Sequence, residues 1–133
     1  MINSLGTSLS GLLAASTRIG ASAQNIANAN TTGSLDESGR QPYRAVTTQN
    51  ETSANGQGVI STVIPKEKPN VPVFSPSDPD ADTQGFVAAP NVNFAEEAVN
   101  IKIAEASYKA NLAVIETVSD LSEDLLNIFD DEV

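Results

Sequence analysis

Asn93 to Phe129 reads NFAEEAVNIKIAEASYKANLAVIETVSDLSEDLLNIF and holds neither Pro nor Gly. Asn93 is a good N-cap, and Glu96, three residues on, stands where a capping-box acid belongs. Phe94, Ile101, Tyr108, Ile115 and Phe129 recur at seven residues or a multiple of seven. Ala104, Val118 and Leu125 fill the positions three residues further on, and only Glu97, Asn111 and Ser122 interrupt the stripe. This is a helix with a heptad seam. At about 1.5 Å per residue it spans roughly 55 Å. That is longer than a small globular domain is wide, so the seam needs a partner helix, from this chain or from another copy.

Residues 2–28 supply the natural partner. Ile2, Leu5, Leu9, Leu12, Ile19, Ala23 and Ile26 repeat the alternation of three and four, with Ser16 as the polar interruption. Gly6, Gly11 and Gly20 lie inside the pattern, and each costs a helix roughly 0.8–1 kcal/mol relative to Ala. Burial of one seam Leu contributes about 1.5–3 kcal/mol, so a few contacts outweigh the glycines. The segment is therefore expected to be weakly helical alone and helical once its seam is covered. Asn28, Asn30, Thr31, Thr32 and Gly33 end it, since Asn and Gly tolerate the left-handed backbone that closes a helix.

The middle is irregular. Ser34 to Gln41, with Asp36, Glu37, Ser38 and Gly39, reads as a loop. Residues 42–64 read as extended, with Asn55-Gly56 as a hairpin turn and Val59, Ile60, Val63 and Ile64 as a β-branched strand. Pro65, Pro69, Pro72, Pro76, Pro79 and Pro90 exclude a long helix up to Pro90. Val71, Val73 and Phe74, and the stretch around Phe86 and Val87, are candidate short strands. The predicted class is mainly α with a small β or extended middle, its long terminal helices paired as a coiled-coil hairpin. Residues 1–33 and 93–133 are the helical ends, the latter with an acidic tail, and 34–92 form the middle.

Composition removes several functions. The net charge is −10 over 133 residues, which argues against nucleic acid, whose phosphates need clustered Lys and Arg. No apolar run is long enough to insert in a bilayer. The first positive charge, Arg18, lies behind the apolar residues, so the start does not read as a cleaved secretory signal. Cys and His are both absent, which removes thiolate chemistry and the commonest general base. Lys66, Lys68, Lys102 and Lys109 allow a Ser/Lys pair only formally, because nothing places one beside a Ser in a pocket. No cofactor and no catalytic residue is expected. Asp78, Asp80 and Asp82 invite a calcium-loop reading, but the sixth and twelfth positions are Thr83 and Ala89 where Gly and Glu are required. Glu96 and Glu97, adjacent on a helix, are expected to diverge and to complement the dipole rather than converge on a substrate. The terminal acids Asp130, Asp131 and Glu132 read as a solvated tail.

Particular residues carry a resemblance. Ser8-Leu9-Ser10-Gly11-Leu12, Arg18-Ile19 and Asn25-Ile26-Ala27-Asn28-Ala29-Asn30-Thr31-Thr32-Gly33 resemble the N-terminal signature of bacterial flagellar rod, hook and hook-associated proteins. Glu96-Glu97-Ala98-Val99-Asn100 and Ala106-Ser107-Tyr108-Lys109-Ala110-Asn111 are similar to that family's C-terminal motif. Gln41-Pro42-Tyr43-Arg44, Ser75 to Asp82, and Gly85-Phe86-Val87 leading to Pro90-Asn91-Val92 are most similar to the family's proximal rod subunits. Asp78-Pro79 departs from the His-Pro usual there. The resemblance implies a structural subunit of the rod that carries motor torque across the periplasm. It implies export by the flagellar type III apparatus without a cleaved signal, and assembly with copies of itself and other rod proteins. The residues expected to form the assembly seam are Leu5, Leu9, Leu12, Ile19, Ile26, Ile101, Tyr108, Ile115, Val118 and Leu125. A soluble coiled-coil binding module, or another flagellar axial component, is the competing reading.

Overall fold

The computed structural model describes residues 2–36, 38–54 and 58–130, with the side chains of Ile2, Phe129 and Asp130 left aside. Two helices dominate: α1 (Ile2–Ala27) and α2 (Phe94–Asp130). Between them, β1 (Val46–Thr52) pairs antiparallel with β2 (Val59–Pro65), and β3 (Asn70–Phe74) with β4 (Phe86–Pro90). The two hairpins are separate two-stranded sheets. The mainly helical class and the small β middle are as the sequence leads one to expect. Asn55-Gly56, Glu37 and the Asp131-Glu132 end of the tail lie outside the described residues, and Ile2 and Phe129 outside the described side chains.

Asn93 starts α2 as a cap should, its Oδ1 accepting from the Ala95 amide at 3.0 Å and the Glu96 amide at 3.4 Å. Glu96 turns its carboxylate to Lys66 rather than to the cap. The β1–β2 hairpin lies along α1. At its base Val46 is held by Asn25, and near its tip the Val59 amide donates to Ser10 Oγ at 3.0 Å. β4 is tied to the end of α1 through Gly33, which exchanges backbone bonds of 3.0 and 2.9 Å with Ala88. Gly85 enters β4 with φ of +85°, beneath the Phe74 ring.

The two helices run antiparallel. Asn25 meets Glu97, Arg18 meets Asn100, and Gly11 faces Asn111. The face α1 turns to α2 is not the expected leucine stripe. Ser8, Ala15, Ser22 and Asn25 are buried, and Gly11 and Arg18 half-buried, whereas Leu5, Leu9 and Leu13 are exposed at 36, 54 and 62%. Of the apolar stripe expected on α1, Leu12, Ile19 and Ile26 are half-buried, while Leu5 and Leu9 stay exposed. The reason is steric: small side chains let two backbones approach, and two polar contacts, Asn25 with Glu97 and Arg18 with Asn100, fix them. Among the described residues the buried hydrophobic side chains are Ala15, Ala21, Ala45, Val87, Ala88 and Ala104, and the largest fully buried side chains are Glu97, Val87 and Asn25. Hydrophobic burial between the helices is thus modest, and polar geometry decides their placement.

Candidate assembly surfaces and the buried polar joint

Apart from Asn100 and Glu105, the half-buried and buried positions described on α2 are Glu97, Ile101, Ala104, Asn111, Ile115, Val118 and Ser122, in steps of four, three and seven that keep one heptad stripe. The seam's position was legible, but its polar interruptions face inward with it. Of the seam residues expected from sequence, Leu12, Ile19, Ile26, Ile101, Ile115 and Val118 are half-buried, and Leu5, Leu9, Tyr108 and Leu125 are exposed. A second stripe on α2 escaped the heptad reading. Val99, Ile103, Val114, Leu121 and Ile128 are all exposed, at 57, 46, 44, 52 and 59%. With Ala106 and Ala110 they keep to one face of the helix in steps of three, four and seven. α2 has 37 residues against 26 in α1, so its last turns run about 16 Å beyond the described start of α1.

Asn25 is the joint between helices and middle. Its Nδ2 donates to Glu97 Oε1 and to the Val46 carbonyl, each at 2.8 Å. Its Oδ1 accepts from the Val46 amide at 2.9 Å and from the Tyr43 hydroxyl at 3.1 Å. Every bonding direction of the amide is used. Glu97, only 2% exposed, also meets Lys66 Nζ at 3.3 Å, and the neighbouring Glu96 meets the same ammonium at 3.3 Å. The two carboxylates were expected to diverge. Both instead reach the one Lys66 ammonium, Glu96 from an exposed position and Glu97 from a buried one. Burial, then the nearby Glu97 charge, raises the Tyr43 hydroxyl above its ordinary value. In the sequence Asn25 and Tyr43 stand only as motif residues, Glu97 as a seam interruption and first-turn acid, and Lys66 has no structural signal. A polar residue recurring on a seam was the signal available.

The remaining motif residues are spread around this joint. Asn28 Nδ2 donates to the Gln24 carbonyl at 2.9 Å and closes α1, and Thr31 takes its place beside Asn28 with its carbonyl on the Tyr43 amide. Asn30 and Arg44 are exposed. Gly33 has no room for a β-carbon against Arg40 and Pro42. Pro90 is buried opposite Asn70, and Asn91 ties to the Lys68 and Pro69 carbonyls at 2.9 Å. The three aspartates serve the loop itself. Asp78 accepts from the Thr32 hydroxyl at 2.9 Å and the Asp80 amide at 3.0 Å, Asp80 pairs with Arg40 at 2.7 Å, and Asp82 accepts from the Gln84 and Phe86 amides at 2.8 Å. Among the described residues no three His, Cys, Asp or Glu side chains are grouped to hold a metal ion, and no helix is long and apolar enough to cross a membrane.

Residues 83–128, β4 and most of α2, match the family model described as the C-terminal region of flagellar basal-body rod FlgEFG proteins. Over 126 residues the chain is 36% identical to the flagellar basal-body rod protein FlgC of Salmonella typhimurium, an overlap covering 91% of this chain and 92% of that one. The chain belongs to the FlgC family of flagellar basal-body rod proteins. Identity to the FlgC of Agrobacterium fabrum is 39% over 117 residues, covering 84% of this chain and 83% of the relative. For the FlgC of Bacillus subtilis it is 30% over 131 residues, covering 85% and 87%. Both stripes and the polar joint therefore belong to a FlgC-like chain.

Proposed function

We propose that this FlgC-like chain is a structural subunit of the basal-body rod that polymerises through its two terminal helices and so carries motor torque. One observation supports this above the others: after α1 and α2 have packed together, each keeps an exposed apolar stripe, Leu5, Leu9 and Leu13 on one and Val99, Ile103, Leu121 and Ile128 on the other. A contiguous exposed apolar surface marks an interaction site. Two unlike stripes on one chain suit head-to-tail contacts, which propagate helically instead of closing into a dimer. The neighbours are copies of this chain and other rod proteins. Delivery is by the flagellar type III apparatus, without a cleaved signal, to a rod crossing the periplasm. No reaction enters this reading.

The test is a deletion strain of the host, complemented with the wild-type gene and scored for purified basal bodies and swimming. Rods and motility should return only with the gene, and the chain should co-purify with the rods. Complete rods in the deletion strain would defeat the reading.

A further inference from the structure

Ser8, Ala15 and Ser22, all buried and seven apart, form a ladder of near-equal small side chains along the inner face of α1. A helix sliding by one heptad, about 10.5 Å, meets almost the same ladder again. Shape alone therefore specifies the pairing weakly. The features that differ from one heptad to the next are Gly11, Arg18 and Asn25 on α1 and Glu97, Ala104, Asn111 and Val118 on α2. Of the two polar contacts between the helices among the described residues, Asn25 with Glu97 is the one in which both side chains are fully buried.

We propose that the Asn25–Glu97 pair is a register lock. It holds α1 and α2 in one of several heptad-related alignments and ties that alignment to the middle region through Val46, Tyr43 and Lys66. A single buried polar contact on a helix seam is well suited to selecting register, because a slipped alignment strands a buried charge while the small-residue ladder forms again. Here a slip takes Asn25 away from Glu97 and leaves the carboxylate with Lys66 alone. It also displaces the leucine stripe of α1 against the outer stripe of α2. On the rod-subunit reading, on which this inference rests, the lock thereby sets the surface a neighbour meets.

The chain has no cysteine, so engineered pairs report alignment cleanly. Gly11→Cys with Asn111→Cys reports the native register, and Gly11→Cys with Ala104→Cys or Val118→Cys, each combined with Asn111→Ala to make room for the new β-carbon, reports slips of one heptad either way. Disulfide formation with copper phenanthroline is read by blot on the full chain in whole cells, wherever it assembles. Its presence in purified basal bodies is scored separately, so failure of the rod reading shows there alone. The native pair alone should cross-link in the parent. With Asn25→Asp, two carboxylates face each other; the native yield should fall at least five-fold and a slipped pair should appear. The exchange Asn25→Asp with Glu97→Gln again offers one amide and one carboxylate, and should restore the native yield to within two-fold. An undiminished native yield in Asn25→Asp would overturn the lock. So would loss of all three cross-links without recovery in the exchanged variant, since that is what a general loss of folding gives.

Discussion

Gly11 and Asn111 occupy the same space: a β-carbon built on Gly11 would stand 2.6 Å from both the nitrogen and the oxygen of the Asn111 amide. That amide is in turn held by the Ser107 carbonyl at 2.8 Å. Ala at position 11 improves helix propensity by about 0.8–1 kcal/mol. It must also push the Asn111 side chain out of its bond, and overpacking of that kind costs about 1–3 kcal/mol. Gly11→Ala is expected to be net destabilising by roughly 1 kcal/mol. Gly6 and Gly20 have nothing within 4 Å of such a carbon, so Ala at either should stabilise by about 0.5–1 kcal/mol. Denaturant unfolding followed by circular dichroism separates the three, and a gain for Gly11→Ala equal to that for Gly20→Ala would refute the close contact.

The length, caps and ends of both helices were legible because they depend on local residues: Asn93, the absence of Pro and Gly after it, and the Asn-rich stretch closing α1. The strands followed from Val59, Ile60, Val63 and Ile64. The choice of which α1 face turns inward was not legible. Hydrophobicity ranks Leu5 and Leu9 above Ser8 and Ala15, and burial within one chain normally follows that ranking. In this chain close approach of backbones prevails, and the leucines are left for another surface. The pairing of β3 with β4, and the reach of Lys66 to two glutamates thirty residues on, are non-local and have no signature in spacing.

The outer stripe separates folding from assembly. Leu9 is 54% exposed, so Leu9→Asp removes little burial within the chain and should change subunit stability by less than about 0.5 kcal/mol. In a rod the same carboxylate enters an apolar contact in every copy. Unchanged helicity of the purified variant together with absent rods is the expected result. Normal rods in that strain would remove the α1 stripe from the proposed surface.

The aspartate loop should respond to acid. The Asp80 amide first, then the Thr32 hydroxyl, hold the Asp78 carboxyl below its ordinary value of 3.8. A carboxyl lowered in the folded state adds stability above its ordinary pKa and loses it as pH falls through the folded value, here below about pH 4. Glu105, held down to about 2 by Lys109 and Lys102, titrates over an overlapping range but on α2. A local readout therefore matters. Protection at the Asp80 and Ala81 amides, the exchange rate taken relative to the intrinsic rate at the same pH, should fall between about pH 4 and 2 in the wild type, and should be low and nearly free of this pH dependence in Asp78→Asn. Equal protection in both chains at neutral pH would mean the carboxylate does not hold the loop.

Ile115 and its neighbour Glu116 test the inner stripe. Ile115 is half-buried on the face that also carries Ala104, Asn111 and Val118, while Glu116 is exposed. The antiparallel register places Ile115 near the level of Ser8, whose side chain is buried. A carboxylate at 115 would lie against this small-residue face, where residues 2–17 of α1 carry no Lys or Arg, and desolvating it costs roughly 1–3 kcal/mol by the measure of buried polar groups in proteins. In a polymer that cost recurs in each copy. Glu116→Gln exchanges one solvated group for another and should stay within about ±0.5 kcal/mol. Ile115→Asp is therefore expected to abolish rods and swimming, and Glu116→Gln to keep both. Secretion should continue in both strains, because a route that threads unfolded chains does not require the folded stripe. Secreted protein and basal-body particles from each strain give the answer. Normal rods with Ile115→Asp would show that this face is not closed in the assembled subunit, and the inner packing of α2 on α1 would have to be redrawn.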